Sequence, residues 1–132
     1  MAIRIVRLGT PRAPDEGVRL GTVRRPPRGV PKAEFAQRDF YDVWLPMLSP
    51  SPALVGQALQ AAADRDERKW AAFVRRFRSE MKQPDAGRLL DLLAALSQQT
   101  NFSLGCYCAD EAHCHRSVLR ELLREREAVI AD

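Results

Sequence analysis

The sequence predicts an α/β fold: one domain over residues 1–132, with a small, mostly parallel sheet of about four strands flanked by helices. Three observations carry this expectation. Short runs rich in β-branched residues stand apart, separated by stretches with helical periodicity. Helical crossovers are what parallel strands need between them. Hydrophobic residues make up 45% of the chain and charged residues 29%, an ordinary balance for a length that can bury one core.

The elements follow in order. Residues 3–8, Ile-Arg-Ile-Val-Arg-Leu, read as a strand. Residues 9–17 carry two prolines, Asp15 and Glu16 and read as a loop, too short for a helix. Residues 18–24 read as a second strand, stopped by Arg24-Arg25-Pro26-Pro27-Arg28-Gly29. That loop holds three arginines on a stiff backbone, which lowers the entropy cost of gripping an anion; it also reads as a solvated basic turn. Residues 31–38 predict a short helix with proline in its first turn, and residues 40–45 a third strand. Ser51-Pro52 opens a helix carrying Leu54, Val55, Ala58, Leu59 and Ala62. Residues 64–83 predict the clearest helix, with Trp70, Phe73, Val74, Phe77 and Met81 on its core face. Arg75, Arg76 and Arg78 fall on its solvated side, Arg78 at the flank. Residues 85–98 predict another helix, packed through Leu89, Leu92, Leu93 and Leu96.

Residues 101–108 predict the last strand, with Phe102, Leu104, Cys106 and Cys108 on one face. Asp110 is placed to cap the closing helix, whose apolar face is Val118, Leu119, Leu122 and Leu123. The helical phase puts His115 at the centre of that face, Cys114 and Arg116 on its flanks, and His113 pointing away.

Residues 104–116 contain all three cysteines and both histidines. Open α/β sheets take ligands at such strand-to-helix turns. Three readings stand side by side. In the first, Arg24 and Arg28 after one strand and Cys108 and Arg116 after another converge on a small anionic or phosphorylated ligand. Cys114 is then the candidate nucleophile, with His115 as base or orienter. The loop between Cys108 and Arg116 lacks glycine and carries Asp110 and Glu111, which repel phosphate, so it is not a tyrosine-phosphatase cradle. In the second, Cys106, Cys108, Cys114 and His115 are metal ligands of the kind zinc prefers, although an extended Cys-x-Cys differs from a tight knuckle. In the third, the cysteines are core, His115 is a satisfied buried histidine, and Arg116 pairs with Asp110, Glu111 or Glu121.

A net charge of +4 suits an anionic partner, and nucleic acid stays open, although the basic and acidic residues are interspersed. No export signal or long apolar run is seen, so no membrane partner is expected. An odd cysteine count argues against a disulfide framework and for a reducing cytoplasm. The sequence names no cofactor, reaction or oligomeric state.

Cys114-His115-Arg116 at a helix start after an apolar strand resembles the C-terminal signature of the domain of unknown function family 488, in its YeaO-like branch. Residues 19–29 resemble a further segment of that branch. Arg24, Pro27, Arg28 and Gly29 match there, while Val23 and Pro26 stand where the branch has Asp and Trp. Asp42, Trp44, Leu45, Leu48, Pro50 and Ser51 match a second motif, and Lys69, Trp70, Phe73, Phe77 and Arg78 echo a third. The resemblance implies a single α/β domain with a small, mostly parallel sheet and assigns no activity. It also implies that any chemistry of the missing carboxylate at position 23 is lost here or moved.

Overall fold

The computed structural model describes residues 1–131. Strands β1 (Ile3–Arg7), β2 (Val18–Gly21), β3 (Val43–Trp44) and β4 (Phe102–Cys106) form one parallel sheet in the order β1-β4-β2-β3. The last strand is thus inserted between the first two. Leu104 pairs with Ile5 on one side and Leu20 on the other. All five residues of β4 are buried, as expected for a central parallel strand covered on both faces.

Helices α1 (Pro52–Asp64), α2 (Glu67–Glu80) and α3 (Pro84–Leu96) form the crossover from β3 to β4, and α4 (His115–Arg124) follows β4. Ile3, Leu20, Phe73, Phe77, Leu90, Leu104, Leu119 and Leu123 share the main core. Among the described residues no helix is long and apolar enough to cross a membrane. The result is the small α/β domain that the alternation of short strands and helices predicts.

Several boundaries differ from the expectation, each for a local reason. The helix expected over 64–83 starts later. Arg65, in a left-handed conformation at φ 50°, ends α1, and the Asp66 carboxylate accepts from the amides of Arg68 and Lys69 to start α2. Residues 31–38 make only a 3-10 turn at Lys32–Glu34, and the third strand shrinks to two residues. In α3 the buried residues are Ala86, Leu90, Leu93 and Ala94, whereas Leu92 is 54% exposed. Leucines at 89, 90, 92, 93 and 96 nearly encircle that helix, so the periodicity alone misplaces its phase. Trp70 is half-buried, while Phe73, Phe77 and Leu119 are fully buried core.

Two glycines fix how the strands meet. A Cβ at Gly105 of β4 would collide with Leu8, and one at Gly21 of β2 with the Tyr41 ring. The chain leaving β1 and the segment before β3 are thereby drawn close over the carboxyl ends of the sheet.

Candidate functional site

β2 and β4 are adjacent and parallel, so the loops that follow them leave the same edge of the sheet. The loop after β2 supplies Arg24, Arg25 and Arg28; the segment after β4 supplies Cys108, Cys114 and His115. All six line one open groove of about 1370 Å³, whose opposite wall is built from α1 and the start of α2. Tyr107 ties the two loops together by donating its hydroxyl to the Arg25 carbonyl at 2.9 Å.

The cysteines gather because β4 ends earlier than the sequence suggests. The strand stops at Cys106 and the backbone bends at Tyr107. Instead of lying a strand period apart, the sulfurs of Cys106 and Cys108 sit 3.9 Å from each other. Asp110 does not cap the closing helix. Its carboxylate accepts from the Ala112 amide and starts a 3-10 turn at Glu111–His113. The chain then extends through Cys114, which is the N-cap of α4, and His115 is the first helical residue. The 3-10 turn swings Cys114 back over Cys106, and both pack with Leu8, Val23 and Tyr41.

His115 is held from both ends of its ring. Nε2 lies 2.6 Å from the Thr22 carbonyl oxygen, which can only accept, so Nε2 carries the proton. Nδ1, left with its lone pair, faces the Cys114 sulfur at 3.7 Å. The Thr22 hydroxyl donates to the Gly105 carbonyl at 2.9 Å and fixes the strand that holds the ring. Phe77 closes the other side with an edge-on contact. Among the three thiols the proton is unequally shared. Hydrogen bonds from Cys106, then Cys108, pull Cys114 well below the ordinary thiol range, while hydrogen bonds with Cys108, then Cys114, together with burial, push Cys106 well above it. Cys114 is the most acidic thiol of the three.

The arginines divide into three roles. Arg28 is exposed at the groove. Arg24 also lines it, but its Nε and Nη2 donate to the carbonyls of Pro50 and Ser49, so it braces the loop against the start of α1. Arg116 is buried and does not line the groove; its Nη2 donates to the Cys108 carbonyl at 2.6 Å and its Nε has no hydrogen-bond partner among the described residues. Its role is to hold Cys108 in place from beneath. Arg78 sits elsewhere, paired with Glu125. Val23 is buried beside Cys106 and Cys114, so the carboxylate of the related motif is replaced here by an apolar contact at the centre of the site.

Two contributors were not visible beforehand. Thr22 acts through its backbone carbonyl, which no side-chain pattern reports. His113, expected to point away, bridges Asp110 at 2.9 Å and Glu67 at 3.1 Å and packs edge-on against Trp70 at the rim. The pairing of Trp70 with a histidine after β4 depends on the fold and has no sequence signal.

A family model for DUF488-N3a, described as the active DUF488-N3 subclade, matches residues 3–127. The chain belongs to this family. No curated protein and no solved structure matches the chain. Membership in DUF488-N3a agrees with the likeness read from Cys114-His115-Arg116, whereas the YeaO-like branch rests on the quoted motifs alone.

Proposed function

We propose that this DUF488-N3a protein binds a small anionic or phosphorylated ligand in the groove and acts on it through Cys114, with His115 as its partner. The observation that carries this reading is the shared lining: Arg24, Arg25 and Arg28 face the same space as Cys108, Cys114 and His115. An exposed guanidinium such as that of Arg28 grips phosphate or carboxylate with two parallel hydrogen bonds. The N-terminus of α4 adds positive potential beside the Cys114 sulfur. With Nε2 committed to Thr22, His115 Nδ1 is free to take the thiol proton, the arrangement that a cysteine nucleophile requires. The description of the subclade as active agrees with a chemical role.

The test is the alkylation rate of Cys114, read by mass spectrometry with and without inorganic phosphate. Cys114 should react faster than a model peptide thiol, and phosphate should slow it. Arg28→Ala should remove the phosphate effect, and His115→Asn should slow labelling while circular dichroism stays unchanged. A rate equal to the peptide's and indifferent to phosphate overturns the reading.

A further inference from the structure

We propose that Cys106, Cys108, Cys114 and His115 form a zinc site in the floor of the groove. This deepens the reading above. It rests on that reading for the ligand that the site serves, but not for the metal itself.

Two of the donor pairs already stand at tetrahedral spacing. With zinc–sulfur bonds of about 2.3 Å, two sulfurs of one tetrahedron lie about 3.8 Å apart, and a sulfur and an imidazole nitrogen slightly closer. The Cys106 and Cys108 sulfurs are 3.9 Å apart, and the Cys114 sulfur is 3.7 Å from His115 Nδ1. The donor atoms of Cys106, Cys114 and His115 all lie within 4.8 Å of one another; Cys108 stands outside that mutual group, 3.9 Å from the Cys106 sulfur, and its exposed side chain must move inward to complete the set. The bend at Tyr107 brings about the close Cys-x-Cys approach that an extended strand forbids.

The surroundings fit as well. A zinc-bound histidine characteristically gives its other ring N–H to a carbonyl or carboxylate, which fixes its tautomer. His115 does so, giving Nε2–H to Thr22 at 2.6 Å and turning Nδ1 toward the thiols. A dication held by three thiolates and a neutral imidazole leaves one excess negative charge. The buried guanidinium of Arg116, fastened to the Cys108 carbonyl, lies against that cluster as the counter-charge. On binding, the remaining thiol protons pass to solvent and each sulfur donates an electron pair to the metal. With zinc bound, Nδ1 is on the metal and can no longer take the Cys114 proton; zinc then holds Cys114 as thiolate in its place, and the fast alkylation of the reading above belongs to the metal-free protein, measured in chelator. All four donors line the groove, so the metal faces the ligand space.

The experiment uses the full chain, purified reduced and without a histidine tag, treated with chelator and then titrated with zinc and with cobalt. We expect one equivalent of zinc by elemental analysis and, with cobalt, the intense thiolate-to-metal absorption of a four-coordinate site. Cys108 is exposed, so Cys108→Ser leaves the fold intact; it should weaken zinc binding by at least about tenfold. His115→Asn should do the same if it folds. Zinc should also slow alkylation of all three cysteines. Folded, reduced protein that takes up no stoichiometric metal overturns the proposal, as does a Cys108→Ser chain that binds zinc like the parent. Arg28→Ala separates the two ideas. It tests phosphate alone, so loss of the phosphate effect with zinc retained, or phosphate binding without zinc, shows which of them fails.

Discussion

Two buried polar clusters sit on this sheet, and they are built on opposite principles. Under the loop between β1 and β2, Glu16 and Arg19 form an ion pair at 2.7 Å with almost no exposure. Ser103 donates to Glu16 at 2.6 Å, and Arg19 Nη1 donates to the carbonyls of Thr10 and Asp39. Every charged group there has short, directional partners. At the carboxyl ends of the same strands, Cys106 meets Cys108 and Cys114 meets His115 through long sulfur contacts, and the Nε of a buried Arg116 has no hydrogen-bond partner among the described residues. Buried polar groups are normally satisfied, and an exception asks for an ion, a ligand or a chemical role. The first cluster locks a loop that has no secondary structure of its own. The second leaves capacity unused, and it alone faces a groove.

The largest effect should come from breaking the satisfied cluster. Arg19→Ala strands the Glu16 carboxylate in a dry site and should cost about 3–5 kcal/mol in denaturant unfolding. A cost below about 1 kcal/mol would place the lock elsewhere and dissolve the contrast.

The same cluster should make stability pH-dependent. The Glu16 carboxyl is held down at about 2 from 4.5: burial alone would raise it, but the hydrogen bonds from Arg19 and Ser103 outweigh that. Because the folded value lies below the unfolded one, the stabilisation is fully present above about pH 4.5 and is lost as pH falls toward about 2. At 1.36 kcal/mol per pH unit its full size is about 3 kcal/mol. Glu16→Gln should flatten the unfolding free energy over that window. An acid limb of unchanged steepness in the variant would assign acid sensitivity to other carboxylates.

How much of this was legible beforehand depended on whether the signal lay in side-chain chemistry or in backbone bends. The fold class follows from element order, but the convergence of Arg24, Arg28, Cys108 and Arg116 was expected only if their strands end on one edge; the insertion of β4 beside β2 meets that condition, and Arg116 still lies buried outside the groove. The bend at Tyr107, the 3-10 turn capped by Asp110 and the Thr22 carbonyl were not legible. Each is a backbone event one or two residues long, and those events decide which thiols touch. Helix phase failed where leucine was too plentiful to point one way. Leu90→Ala should therefore cost about 2–5 kcal/mol, while Leu92→Ala, at an exposed position, should stay within about 0.5 kcal/mol of the parent. Equal costs for the two would mean that α3 is rotated.

Cys108→Ser carries the smallest expected stability change and tests the contrast most directly. Cys108 is exposed, and its only short hydrogen bond among those described is through its carbonyl, which serine keeps. In chelator, the variant should unfold within about 0.5 kcal/mol of the parent. A loss above about 2 kcal/mol there would make the thiols a packing lock like Glu16 and Arg19, and the spare capacity at the groove would carry no functional meaning. With zinc added, the parent should gain stability as the logarithm of free metal over its dissociation constant, and the variant should gain less. A group that matters little to the empty fold and much to the loaded one belongs to a binding site. Glu16 should show the reverse, a large cost that zinc leaves unchanged.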